Sequence, residues 1–381
     1  MHGTIESTLE VELRPLAELA SIASDWRALA ARALVPNIFY EPAFALAAQP
    51  VFGHNVGATL VWSRGVTRRL LGLFPVQVER CRYGLPWPIV VGWINPYAPL
   101  GLPLVDREAA EPVLGAWLEH IASHQPRPLL LPMFPQEGTL ARAFDAALAQ
   151  RGGASVAFAV HERALLAPAG ERTGYIEQAL PRKKLKELGR QLRRLGDDGA
   201  AAWDTARDPA AIGTALADFL ALEEAGWKGR AGTAAARSPS IRAFLEAAVS
   251  ALARESKAEI MRLMLAGRAI AALIVLRSGD TAWCWKIAYD ERHARSSPGV
   301  QLMLQATKAL LAEPGLTSVD SCAAPDHPMI DHIWRERLPL ADRLVQPGPH
   351  GGAAFAFTRA LEAARTGAIA AAKHARDLLR R

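Results

Sequence analysis

Between residues 15 and 33 the apolar positions Leu16, Leu19, Ile22, Trp26 and Leu29 recur every three or four residues, the period of a helix with one buried face. Pro15 stands near its start, where a missing N–H costs nothing. The pattern then turns into continuous apolar runs bounded by turn residues, which predict strands at 56–62, 70–78 and 88–94. A helix is predicted at about 107–123, then a strand at 129–134, a helix at 140–149 and a strand at 154–160. This is a mixed α/β unit. Ala167-Pro168-Ala169-Gly170 has no periodicity and two residues that break regular structure, so the first domain is expected to span 1–168.

The second half repeats the scheme. Helices are predicted at 175–195 and 209–225, followed by strands at 258–265 and 269–276 whose Ala266-Gly267-Arg268 connection is short enough for a hairpin. A strand at 281–288 leads through a loop with Arg295, Pro298 and Gly299 into a helix at 300–311. A strand at 316–321, a helix at 327–337 and a strand at 341–345 complete a second domain, 171–350. From Ala353 the chain is rich in alanine and ends in basic residues, so 351–381 reads as a surface-helical tail.

Half of the residues are apolar and 22% are charged, which excludes a disordered chain, and 381 residues suit two domains better than one. The longest weakly charged stretch, 84–105, contains Pro86, Pro88, Pro96, Pro99 and Pro103, a density no membrane-spanning helix carries. Glu6, Glu10 and Glu12 stand where a signal peptide would have a basic flank, and Cys81, Cys284 and Cys322 form no disulfide framework and no CxxC metal site. A cytoplasmic location is expected. The net charge of +6 is unevenly placed. Arg182, Lys183, Lys184, Lys186, Arg190, Arg193 and Arg194 stand against the single acid Glu187, with Leu185, Leu188, Leu192 and Leu195 at helical spacing. Such a helix is a solvated charged face, or else a handle for anionic acceptors, coenzyme phosphates or a membrane surface. Without interleaved aromatics it does not point to nucleic acid.

Three segments carry candidate chemistry. In residues 283–304 a strand, a basic and serine-containing loop and a helix follow one another, and the first turn Gly299-Val300-Gln301-Leu302 lacks a carboxylate. Free amides and the helix dipole there suit a phosphate or pyrophosphate, with Arg295 beside them. The alternative is an ordinary serine cap with proline at the first helical position. Asp320-Ser321-Cys322-Ala323-Ala324-Pro325-Asp326-His327 leaves a strand, and Asp320, Asp326 and His327 are candidates for removing a proton from an amine. Asp326 is equally a candidate helix cap, His327 and Asp331 lack a third metal ligand, and Cys322 suits a nucleophile less than a buried small hydrophobe. In Gly226-Trp227-Lys228-Gly229-Arg230-Ala231-Gly232-Thr233, Gly226 is expected to end a helix in the left-handed conformation, and the glycines let the loop pass close to a ligand. It lacks the ending of a nucleotide-binding P-loop.

The order of elements resembles the GNAT superfamily of acyl-CoA N-acyltransferases. LEEAGWKGRAGT at 222–233, KIAYDERHARSSPGVQL at 286–302 and DSCAAPDHPMIDHIWRER at 320–337 are similar to the CelD-like acyltransferases of polysaccharide-associated gene clusters, which are related to FemAB-like peptidyltransferases. The resemblance implies two GNAT folds in tandem and an acyl group moved from acetyl-CoA or another acyl-CoA to an amine. The acceptor would be a sugar or similar small molecule, and the protein would touch a membrane or the polysaccharide-synthesis machinery at its surface. Arg295, Ser296, Ser297, Pro298, Gly299 and Val300 would hold the donor, though Pro298 and Val300 stand where the family's donor loop usually has small residues. Asp326 or His327 would act as base, with Asp320 near by, and Glu223, Trp227, Lys228 and Gly229 would position the acceptor. A catalytically silent accessory protein of polysaccharide synthesis and a FemAB-like transferase using aminoacyl-tRNA are the rivals. The first domain is expected to bind no coenzyme, because its helix begins near Asp106-Arg107-Glu108 with Glu111 a turn later, and its loop 95–103 has three prolines and no arginine.

Overall fold

A computed structural model describes residues 9–65, 67–125, 127–170, 172–197 and 199–379; Glu6 lies outside the described residues. The chain opens with β1 (Leu9–Pro15), which the apolar pattern does not announce because its residues are half-exposed. The predicted stripe follows as a 3₁₀ segment, Leu16–Ile22, and helix α1 (Ala23–Ala31), with Leu16, Leu19, Trp26 and Leu29 buried as the spacing requires. Helix α2 (Pro42–Phe52) precedes β2 (Val56–Ser63), β3 (Leu70–Glu79) and β4 (Ile89–Gly92), all antiparallel neighbours, and the short β5 (Leu104–Val105) pairs β3. Helix α3 (Ala110–His124) crosses over to β6 (Leu129–Pro135), which lies parallel to β4. Helix α4 (Thr139–Gln150) leads to β7 (Ala154–Leu166).

The basic stretch is two helices, α5 (Tyr175–Ala179) and α6 (Arg182–Asp197), because Pro181 forces Leu180 before it into an extended conformation. Strand β8 (Ala201–Ala206), helix α7 (Pro209–Ala225), the single turn α8 (Trp227–Arg230) and helix α9 (Pro239–Arg254) follow. Asp208 and Ser238 cap α7 and α9 with their side-chain oxygens. Strands β9 (Ala258–Leu265), β10 (Arg268–Ser278) and β11 (Thr281–Tyr289) are antiparallel, and Ala266 and Gly267, both at positive φ, form the predicted hairpin turn. Helix α10 (Pro298–Ala312) crosses to β12 (Ser318–Asp320), parallel to β11; β13 (Glu336–Gln346) and α11 (Gly352–Leu379) end the chain.

The expected helix at 327–337 does not form. Cys322 and Asp326 both take left-handed conformations, Pro325 and Pro328 flank the start, and only a 3₁₀ turn at Ile330–His332 uses the apolar spacing before β13 begins at Glu336.

The described residues make two compact units. The first comprises those up to Pro42, Phe52–His161 and those from Pro339 on; the second comprises Ala43–Val51 and Glu162–Leu338. Most of β13 and all of α11 thus belong with the first unit, whereas the sequence-based division assigns them to the second domain and a tail. Strand order is β1-β2-β3-β4-β6-β13-β7 in the first unit and β7-β12-β11-β10-β9-β8 in the second, β7 entering each with a different half. Both units are mixed α/β with one scheme: four antiparallel strands, a crossover helix and a parallel fifth strand. The first core holds Trp26, Trp93 and Trp117, with Phe74 stacked on Trp117 at 4.2 Å. The second packs Leu263, Leu273 and Val275 of the sheet against Leu302 and Ala306 of α10. Among the described residues no helix is long and apolar enough to cross a membrane.

Candidate active site

Strands β11 and β12 part company early. Their parallel pairing covers only Thr281–Trp283 against Ser318–Asp320, so residues 284–289 of β11 run on with no partner from β12. A bulge against β10 makes Trp285 an extra residue between Cys284 and Lys286 and changes the strand's course there. On the other side Cys322 turns the chain away at φ 52°. The wedge opens toward the segment after β11, a 3₁₀ run at Glu291–Ser296 followed by Ser297 at φ 50° and then α10. Its first turn has no acidic residue, no side chain caps it, and Arg295 is exposed beside it. Gly299 fits here because a Cβ would stand 3.0 Å from the Tyr289 ring; the close approach seats the helix start against the end of β11. The expected donor residues Arg295, Ser296, Ser297, Pro298, Gly299 and Val300 are therefore contiguous around one helix start.

The loop after α7 forms a small pocket on the same strand. Glu223, in the last turn of α7, is 4% exposed. Its Oε1 accepts from Lys228 Nζ at 2.8 Å and lies 3.7 Å from Lys286 Nζ, while its Oε2 accepts from the Ala235 amide at 2.9 Å. Glu291 accepts from the Trp227 amide at 2.7 Å and pairs with Arg230 at 2.5 Å. These bonds fold the glycine loop back on itself. Gly229 is required by space, since a Cβ would stand 1.7 Å from the Glu224 carbonyl oxygen. Gly226 is extended, not left-handed as expected; the left-handed glycine is Gly232, at φ 74°. Glu223, Trp227, Lys228, Tyr289 and Glu291 line a cavity of about 30 Å³, room for a water or two, with Trp227 57% exposed at its rim.

Charge in this pocket is finely divided. Burial pushes the Glu223 carboxyl up, but the Lys286 and Lys228 ammonium groups and the Ala235 amide outweigh it and hold it below the usual carboxylate value. Burial, then the Lys228 charge, bring Lys286 down to about 8 against the pull of Glu223. Glu291 is lowered by Arg230 and the Trp227 amide.

None of the expected catalytic residues lines this pocket. Asp320 is buried and ion-paired with buried Arg163, and its second oxygen accepts from the Cys322 amide at 2.9 Å. Asp326 is exposed in the turn after Pro325 and caps no helix, since none follows. His327 accepts from the Met329 amide through Nδ1 at 3.3 Å. Burial and the Asp320 carboxylate hold the Cys322 thiol well above its ordinary value, so it stays protonated.

The basic helix reaches the start of α10. Buried Gln301, in the first turn of α10, donates to the Leu188 carbonyl of α6 at 2.7 Å. Among the described residues Glu187 pairs with Arg190, and no acid pairs with Arg182, Lys183, Lys184, Lys186, Arg193 or Arg194. Sequence reasoning missed Lys286, Tyr289 and Glu291. For Lys286 the trace in the sequence is its position alone, one lysine inside the otherwise apolar strand segment WCWKIAY.

Residues 182–327 match the family model described as Acetyltransferase (GNAT) domain. Among solved structures the chain is similar to FemX, at 11% identity over 85% of this chain and 95% of that one, with a TM-score of 0.54. A conserved protein of unknown function from Bacteroides thetaiotaomicron gives a TM-score of 0.51 at 10% identity, covering 88% of this chain and all of the other. The C-terminal domain of a putative lysylphosphatidylglycerol synthetase from Agrobacterium fabrum gives 0.49 at 13% identity, over 90% and 95% of the two chains. No curated protein matches the sequence.

Proposed function

We propose that the second unit is an N-acyltransferase that moves an acyl group from acyl-CoA to the amine of a sugar or similar small acceptor. The observation that carries this is the continuation of β11 past its parallel partner to the uncapped, acid-free start of α10. The bare strand edge offers amide and carbonyl groups to an extended pantetheine-like arm, and the helix start offers amides and a positive dipole end to a pyrophosphate. Arg295, Ser297 and Gly299 hold the donor, with Ser296, Pro298 and Val300 completing the loop. Glu223, Trp227, Lys228 and Gly229, at the end of α7 and in the loop after it, border the same strand and position the acceptor, whose body lies outside the water-sized cavity. Asp326 and His327 remain alongside as the sequence-based candidates for base; Asp320 is bound into its pair with Arg163.

Calorimetric titration with acetyl-CoA tests the donor. Arg295→Glu, at an exposed position, is expected to cost about 1.5–3 kcal/mol of binding with the fold intact, one charge-assisted contact removed. Unchanged affinity would show that the loop does not hold the donor.

A second reading, transfer from aminoacyl-tRNA, is favoured by the cationic face of α6 and its bond to α10 through Gln301. Thermal shift with acetyl-CoA, longer acyl-CoAs, free CoA and aminoacyl-tRNA in parallel separates the two, since only the true donor stabilises the folded protein by mass action.

A further inference from the structure

Helix α6 carries seven cations against two acids, Glu187 and Asp197. At about 100° per residue, Arg182, Lys183, Lys186, Arg190, Arg193 and Arg194 fall within one arc of about 120°, in a straight row about 18 Å long. All six are exposed. Leu185, Leu188, Leu192 and Leu195 lie on the opposite side and pack into the second unit's core. The helix is thus held to the protein through its apolar side and turns a row of positive charge to water.

Among the described residues Glu187 pairs with Arg190, and the acids of the adjoining segment are turned elsewhere, Asp290 to Arg292 and Glu291 to Arg230. Lys186 stands four residues from both Arg182 and Arg190, a spacing at which like charges destabilise the helix that carries them. A partner of opposite charge removes that cost. The row is straight and lies on one face, as a flat surface requires, and it contains no aromatic side chain on which a base could stack. Trp203 of β8 is 39% exposed and lies on the same side of the sheet as α6, since its cross-strand partner Leu263 packs into the core that α6 covers. An indole half in water on that side suits a headgroup layer.

We propose that the cationic face of α6 docks the protein on an anionic lipid bilayer. The attraction is electrostatic, because the leucines stay in the core, so docking is reversible and weakens with salt. Gln301 ties the Leu188 carbonyl of α6 to the first turn of α10, so the docked protein holds the start of α10 close to the headgroups. Docking does not depend on which acyl donor the second unit takes.

The test is co-sedimentation of the full chain with vesicles of phosphatidylcholine, alone or with about a third phosphatidylglycerol, at about 0.1 M salt. Lys183→Glu, Lys186→Glu and Arg193→Glu together are compared with Arg142→Glu, Arg254→Glu and Arg359→Glu, which change the net charge equally at exposed positions on α4, α9 and α11. Wild type and the second variant are expected to bind the anionic vesicles and not the neutral ones. The α6 variant is expected to bind at least about 100-fold more weakly, about fivefold for each cation lost. No binding by wild type, an α6 variant that binds as well as wild type, or an equal loss in the second variant overturns the docking. Transfer RNA bound more tightly than the vesicles at the same salt, and released by the α6 changes, gives the helix to nucleic acid and overturns it too. If circular dichroism shows the α6 variant unfolded, acetylation of wild-type lysines with and without anionic vesicles, read by mass spectrometry, decides. Protection of Lys183 and Lys186 supports the docking, and unchanged rates overturn it.

Discussion

Asp320 shows how a side chain of the right type, at the end of the right strand, can be committed to the fold. Its partner Arg163 is as deeply buried as itself, so the pair neutralises two charges that could not stand alone there. Asp320→Ala is expected to destabilise the protein by about 3–5 kcal/mol in urea unfolding, because the arginine keeps its charge and loses its carboxylate. A loss below about 1 kcal/mol would mean that water already reaches the pair. Lys286 makes the opposite prediction in sign. Its value falls from 10.5 in a free side chain to about 8, so below pH 8 the folded state holds a cation that its surroundings disfavour. As pH rises from 8 to 10.5 the unfolded chain retains more protons and the penalty is relieved. Wild type should therefore gain up to about 3 kcal/mol over Lys286→Met across that window, read as the difference between their urea midpoints at each pH. Parallel curves would place Lys286 in a wetter setting.

At the scale of elements, α6 separates the two donors. Lys183→Glu, Lys186→Glu and Arg193→Glu together change residues whose side chains are exposed, so the fold should hold. An acyl-CoA enzyme should keep acetyl-CoA binding within a few-fold, whereas a tRNA-dependent one should lose tRNA binding and much of its salt dependence in filter-binding assays. Elements whose apolar residues follow one period are legible in the sequence: β2, β3, β6, α3, α4, α7, the β9–β10 hairpin and α10. The failures have physical causes. Ile330, Ile333 and Trp334 have helical spacing and are buried, yet two prolines and two left-handed residues leave room for one 3₁₀ turn. Strand β8 begins with three exposed residues and carries little apolar signal, and its place is set by pairing with β9. Of the site, the glycine loop and the α10 start are legible because glycine and proline act locally. Lys286 is not, because its chemistry depends on Glu223 and Lys228, some sixty residues away.

For the whole molecule, the two units share a scheme and differ at the helix that follows the fourth antiparallel strand. Helix α10 starts without an acid, whereas α3 carries Glu111 in its first turn and is preceded by Asp106, which bonds Arg32 and the Glu108 amide. A pyrophosphate would meet carboxylates in the first unit and bare amides in the second. Titration is therefore expected to find one coenzyme per chain, weakened by Arg295→Glu; two sites, or one whose affinity is unchanged by that substitution, would refute the division. The placement of β7 and β13 bears on how the protein is made. The first unit's sheet includes β13, and the second closes on the last residues of β7, so each half of the sequence finishes the other's sheet. During synthesis the first unit has most of its strands out of the ribosome by residue 166 but waits for some 180 residues before β13 can fill the place between β6 and β7. Through that interval β6 presents an open edge of the sort that captures other chains. A chain truncated at Leu338 should accordingly aggregate rather than yield a folded second unit beside a loose first one, and supplying residues 339–379 in trans should recover soluble protein.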